Sequence, residues 1–144
     1  MKSLMEIRPF ETTDESAVIA LWDRCGLLRP WNEPRKDIAR KQMVRPDLFL
    51  VGVVNGDVVA TVMAGYEGHR GWINYLAVSP DHQRQGLGRA IMQAAEQRLR
   101  ESGCPKINLQ VRTANQQVID FYRSLGFQLD DVVSLGKRLE FDEP

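Results

Sequence analysis

The residues with most chemical content lie in Gln83-Arg84-Gln85-Gly86-Leu87-Gly88, where two glycines and a basic side chain sit between an apolar run ending at Val78 and a helical pattern beginning at Leu87. The first turn of a helix leaves backbone N–H groups without partners, and glycine, lacking a Cβ, lets a phosphate come close to them. The spacing argues against two common nucleotide loops. Arg89, Ala90 and Ile91 follow Gly88, so the third glycine of a dinucleotide fingerprint is absent, and no glycine-lysine-hydroxyl triplet completes a P-loop. A second cluster pairs Asn115 with Tyr122, two helical turns apart on one face, followed by Leu125-Gly126-Phe127. Asn115 alone is a good helix cap, and a tyrosine at such a place commonly half-buries its ring with the hydroxyl at a polar edge.

Elements must hold these groups in place, and the chain reads as alternating strands and helices. Glu6 to Phe10 is a short strand, and Thr12-Thr13-Asp14-Glu15 starts a helix, with a hydroxyl cap, that runs to about Leu27 past Val18, Leu21, Trp22 and Cys25. Two prolines flank Trp31, and a second helix from about Pro34 carries Ile38, Met43 and Val44 until Pro46 stops it. Asp47 to Val54 and Val58 to Tyr66 are strands joined at Asn55-Gly56-Asp57, a strong hairpin signal. A glycine-rich turn, Gly65 to Gly71, leads to the strand Trp72 to Val78. The helix after the glycine loop extends to about Ser102 with Leu87, Ile91, Ala94, Ala95 and Leu99 on one face. Lys106 to Val111 alternates as a strand, Asn115 to Leu125 is a helix closed by Gly126, and Phe127 to Val133 and Ser134 to Phe141 read as two last strands.

The 144 residues suit a single domain spanning 1–144 with a core of its own. Lys plus Arg equals Asp plus Glu at 19 each, so no global field favours nucleic acid or an anionic membrane, and neither is an expected partner. Cys25 and Cys104 stand far apart without a metal-ligand spacing, so no metal is expected and a reduced, cytoplasmic protein is the plain reading. There is no apolar run of about 18 residues, so neither a spanning nor an export segment is expected.

The hexad Gln83 to Gly88, after Leu76-Ala77-Val78-Ser79-Pro80 and ahead of Asn115 with Phe121-Tyr122 and Leu125-Gly126-Phe127, resembles the GNAT superfamily of acyl-CoA-dependent N-acetyltransferases over essentially the whole chain. The resemblance implies an α/β fold with a mixed, mostly antiparallel sheet of six to seven strands and about four helices on both faces. It implies acetyl-CoA as co-substrate and a primary amine, small molecule or peptide terminus, as acceptor. Backbone groups of Leu76, Ala77 and Val78 would pair with the pantetheine, N–H groups of Arg84, Gln85, Gly86, Leu87, Gly88 and Arg89 would take the pyrophosphate, and Asn115 would bond the pantetheine arm. A strand N–H near Leu76 would polarise the acetyl carbonyl. Tyr122 would be the general acid, since its ordinary pKa of about 10 keeps it protonated at neutral pH. Many members carry a glutamate on the fourth strand, where this chain reads Trp72-Ile73-Asn74-Tyr75, so Glu67 or His69 in the preceding turn, or a water, is the candidate base. Glu33, Asp37 and Glu67 would give an acidic rim for the acceptor, and Trp31 and Tyr66 an apolar wall. The strands after Phe127 could pair across a homodimer. The competing expectation, from another class, is a domain that binds acyl-CoA and senses it without catalysis.

Overall fold

Asn55 and Gly56 take left-handed backbone angles, φ 50° and 83°, and turn the two apolar runs beside them into a hairpin, as an Asn-Gly pair does where the turn must match strand twist. In the computed structural model, which describes residues 4–143, the elements run β1 (Glu6–Pro9), α1 (Glu15–Arg24), α2 (Pro34–Gln42), β2 (Phe49–Val54), β3 (Asp57–Tyr66), β4 (Gly71–Val78), α3 (Leu87–Glu101), β5 (Ile107–Leu109) and α4 (Gln116–Ser124). One mixed sheet has the order β1-β2-β3-β4-β5, antiparallel except for the parallel pair β4–β5.

The sheet divides the core in two. Leu50, Ala60, Val62 and Ile73 face α3 and α4 and bury Ile91, Ala95, Leu99 and Tyr122. Phe49, Val51, Met63 and Ala77 face the other way, onto Val18, Leu21 and Trp22 of α1 and Ile38 of α2. The alternation along β2 and β3 is the two-residue period of a strand. Along β4 it breaks: Ile73 and Ala77 lie an even number apart yet bury on opposite faces, because an extra residue is accommodated between them.

Five expectations are corrected. The sheet has five strands among the described residues, not six or seven. β5 keeps only three residues of the six expected, and residues 127–143 form neither strand nor helix. This tail follows β5 through side chains instead of a backbone ladder: Asp130 takes Lys106 and Asn108, and Gln110 donates to Ser134. Its apolar residues therefore stay outside, Leu135 at 92% and Phe141 at 75% exposure. Met43 and Val44 are likewise exposed, since α2 ends at Gln42 before they can turn inward. No threonine hydroxyl caps α1: a single 3₁₀ turn, Thr12–Asp14, precedes it, and there the Asp14 carboxylate accepts the Glu11 N–H at 2.8 Å and is gripped by Arg8.

Leu99 is fully buried between α3 and the sheet. Leu99→Ala should lower unfolding free energy by about 2–5 kcal/mol in urea titration, the usual cost of a cavity left by a deleted leucine side chain.

Candidate functional site

β4 and β5 pair only from Gly71–Ile107 to Ile73–Leu109, whereas β4 continues to Val78, so the two strands part along the second half of β4. In the same half the register with β3 jumps from Met63–Asn74 to Thr61–Ala77, leaving Tyr75 and Leu76 without a register partner on either side. Tyr75 has φ 51°, a conformation rare for a bulky residue. Three contacts hold it there. Its ring stacks on Trp22 at 3.8 Å between centroids, its hydroxyl donates to Asp37 at 2.6 Å, and its carbonyl accepts the Thr61 hydroxyl at 2.8 Å. Thr61 in turn accepts the Trp22 indole N–H at 2.9 Å. Burial, and then the Asp37 carboxylate, push the Tyr75 phenol above its ordinary pKa.

Beyond Val78 the chain makes a single turn of 3₁₀ helix, Pro80–His82, and enters the glycine loop. Arg84 and Gly86 are both left-handed, φ 64° and 78°, and Gly86 is the N-cap of α3. Alternating handedness of this kind turns successive N–H groups to one side, and the first turn of α3 has no acid to compete for them. Gln83 ties the loop back to the Val78 carbonyl at 3.2 Å. At Gly88 a Cβ would come within 3.3 Å of the Phe121 ring and 3.6 Å of Val78, so the loop lies directly against α4.

α4 begins at Asn115, whose carboxamide oxygen accepts the Val118 N–H at 3.3 Å, the capping role. Tyr122 is nearly buried, edge-on to Phe121 and Phe127, and no hydrogen bond engages its hydroxyl among the described residues. Burial pushes its phenol up to about 12. A cleft of about 1180 Å³ runs along β5, α4 and the tail and includes Tyr122, Leu109 and Val111 but not the glycine loop.

The sequence-derived acceptor residues separate into two groups. Trp31 lies at the open end, with the Arg112 guanidinium 5.7 Å from its ring centre. Glu33 is there too, but its carboxylate caps α2 by accepting the Lys36 N–H. Tyr66, Glu67 and His69 are at the closed end: Tyr66 pairs with Gly71, the first residue of β4, so Leu76 is roughly 16 Å further along at about 3.3 Å per residue. Glu67 accepts the N–H groups of His69 and Arg70, and the Tyr66 hydroxyl is within reach of the carbonyls of Gly68 and Gly103. The structure thus does not bring Glu67, His69 or Tyr66 to Leu76 or Trp31.

Sequence reasoning missed the far tail as part of this end. Asp142 accepts the Glu33 N–H at 2.9 Å and both arms of Arg40, and Arg138 donates to Asn32. It also missed Thr61 and Trp22, for which a signal existed: one hydroxyl in the apolar run Val58 to Gly65, and an indole N–H on a buried helix stripe, each needing a partner. No group of three or more His, Cys, Asp or Glu among the described residues could hold a metal ion.

The model of the acetyltransferase (GNAT) family matches residues 11–127. The chain is 52% identical over 135 residues to an acetyltransferase of Pectobacterium atrosepticum, covering 94% of this chain and 96% of that one. It is similar in structure to the ribosomal-protein-S18-alanine N-acetyltransferase of Escherichia coli, with TM-score 0.72 and 28% identity over 87% of this chain and 78% of that one. An aminoglycoside N-acetyltransferase in complex with CoA aligns with TM-score 0.74 at 16% identity over 96% and 97% of the two chains, a likeness of fold alone.

Asp142 fastens the tail to the loop carrying Trp31. Asp142→Asn should leave the cooperative unfolding transition in place while raising amide hydrogen exchange across residues 28–36 at least several-fold, because Arg40 and the Glu33 N–H lose a charged acceptor.

Proposed function

The chain belongs to the acetyltransferase (GNAT) family, and we propose that it moves the acetyl group of acetyl-CoA directly onto a primary amine, a small molecule or a peptide terminus. The observation that carries this reading is the loop Arg84 to Gly88 with its two left-handed residues, set at the N-terminus of α3 and at the end of the half-strand where β4 leaves β5. A bound phosphate meets backbone N–H groups with open space beside Gly86, and the absence of a Cβ at Gly88 lets Phe121 pack against it. A domain that only senses acyl-CoA is not favoured by this family membership.

Acetyl-CoA, when bound, supplies an activated acyl carbon and a sulfur leaving group. The chain's part is to hold and polarise. The backbone of Leu76, Ala77 and Val78 borders the gap that β5 leaves and receives the pantetheine there, the Val78 carbonyl being already taken by Gln83 and Cys25; the N–H groups from Arg84 to Arg89 take the pyrophosphate, and the Asn115 NH2, not used in capping, reaches the pantetheine arm. The Leu76 N–H serves the carbonyl oxygen on which negative charge develops, a contribution of roughly 3 kcal/mol for one such donor. The amine nitrogen bonds to the acyl carbon as the carbon–sulfur bond breaks, and the proton shed by nitrogen goes to water at the open mouth. Glu67 has no part in this, being at the other end of β4 with its carboxylate engaged.

Tyr122 has a narrower role than general acid. A phenol at about 12 lies well above an ordinary thiol at about 8.5, so handing its proton completely to a thiolate runs uphill. Held neutral, it donates a hydrogen bond to the sulfur as charge builds there, and solvent completes the protonation.

A thermal-shift titration with acetyl-CoA, with CoA and NAD as controls, tests the binding, followed by thiol release against a panel of amines and peptides. A ligand at a hundredfold excess over its Kd stabilises by about 2.7 kcal/mol, so binding to the folded chain is readily seen. No shift with either form of CoA overturns the reading. Tyr122→Phe should lower kcat about 10- to 100-fold, the loss of one hydrogen bond to a charged atom, while the CoA thermal shift stays. In the parent, no fall in kcat below about pH 11 should trace to Tyr122, since burial keeps it protonated past the usual tyrosine range.

A further inference from the structure

Thr61 is the one hydroxyl in the apolar run Val58 to Gly65 of β3 and has no exposed surface, and Trp22 has none either. A valine would fill the same space, and a buried hydroxyl is costly unless bonded. Its bonding is fully determined. The Thr61 oxygen accepts the Trp22 indole N–H at 2.9 Å, so its single proton goes to the Tyr75 carbonyl at 2.8 Å.

The Tyr75 carbonyl and the Leu76 N–H belong to one peptide unit. The chain has no cis peptide among the described residues, and in a trans peptide the C=O and N–H point in opposite directions. Anchoring the carbonyl toward β3 therefore aims the Leu76 N–H away from it, to the side on which β5 has departed. The donors also run head to tail, Trp22 to Thr61 to the Tyr75 carbonyl and out through Leu76, so each bond polarises the next. Without this anchor nothing in the ladder fixes that peptide, because Tyr75 and Leu76 have no register partner and Tyr75 sits at φ 51°.

We propose that Thr61 is a positioning residue, its hydroxyl held by Trp22 so that the Tyr75–Leu76 peptide presents a polarised N–H to the thioester carbonyl in the gap between β4 and β5. This rests on the reading that acetyl-CoA binds in that gap. The role goes beyond core packing, since a merely structural hydroxyl would affect stability and leave the bound carbonyl untouched.

Isotope-edited infrared spectroscopy of acetyl-CoA, 13C-labelled at the acetyl carbonyl, tests it without an acceptor. On binding to the parent the carbonyl stretch should move to lower frequency. Thr61→Val should lose most of that displacement while keeping the acetyl-CoA thermal shift, and Thr61→Ser, which retains the hydroxyl, should restore it. With an amine that supports turnover, Thr61→Val should lower kcat about tenfold, one net hydrogen bond, with KM for acetyl-CoA within about twofold of the parent. Trp22→Phe removes the upstream donor while keeping an aromatic ring beside Tyr75, and should give a smaller displacement in the same sense, which keeps the test available should Thr61→Val not fold. Equal carbonyl frequencies in parent and variant, both binding acetyl-CoA, overturn the proposal, as does Thr61→Ser behaving like Thr61→Val. If the parent itself binds no acetyl-CoA, the functional reading falls first and takes this one with it.

Discussion

A strand can be hydrogen-bonded on both edges only while both neighbours run beside it, and β4 loses one of its neighbours halfway. Its parallel pairing with β5 lasts three residues, and from Asn74 onward its outer edge is open. Backbone groups left unpaired inside a protein are costly. The rest of the molecule can be understood as managing that edge: the irregularity at Tyr75 and Leu76 redirects one peptide, α1 and α2 brace the redirected residue from one face, and α3 and α4 set the glycine loop and Tyr122 on the other. In the function proposed above, a polar chain-like ligand takes the place of the missing strand.

Charge at the open end is arranged differently from a simple acidic rim. Glu33 is committed to its helix, Asp37 to Tyr75 and Arg40, and Asp142 to Arg40, Arg138 and the Glu33 N–H. These carboxylates stiffen the loop and are not displayed to an incoming cation. Arg112, against Trp31, is exposed beside the loop, as are Arg35 and Glu140.

Much of this was legible in the sequence because it rests on local chemistry. Asn55-Gly56 read as a tight hairpin, Asn115 read as a helix cap as well as a candidate pantetheine ligand, and Gly86 and Gly88 marked the loop by their lack of a Cβ. What was not legible depends on partners distant in the chain. Val133, Leu135, Leu139 and Phe141 alternate as a strand does, but alternation cannot say whether an edge is available, and here side-chain ties to Lys106, Asn108 and Gln110 replace a ladder. The irregularity in β4 was equally hidden. Ile73-Asn74-Tyr75-Leu76-Ala77 reads as unbroken strand, and a left-handed tyrosine has no signature of its own; it exists because Trp22, Thr61 and Asp37, drawn from three other elements, make it the best-satisfied conformation. Glu67 was nominated by nearness in sequence to β4, which placed it at the wrong end of the strand.

The division of the core by the sheet has a consequence for how the protein tolerates change. Leu99, Ile91 and Ala95 share no packing partner with Trp22, Leu21 and Val18, since a full sheet lies between them. Free-energy effects of substitutions on separate, non-contacting sites add, whereas those within one cluster couple. The α3–α4 side and the α1–α2 side can therefore accumulate sequence change as nearly independent ledgers of stability, and a lineage can remodel the α1–α2 face without first compensating for it under α3. Only residues of the dividing strands themselves, β4 above all, answer to both.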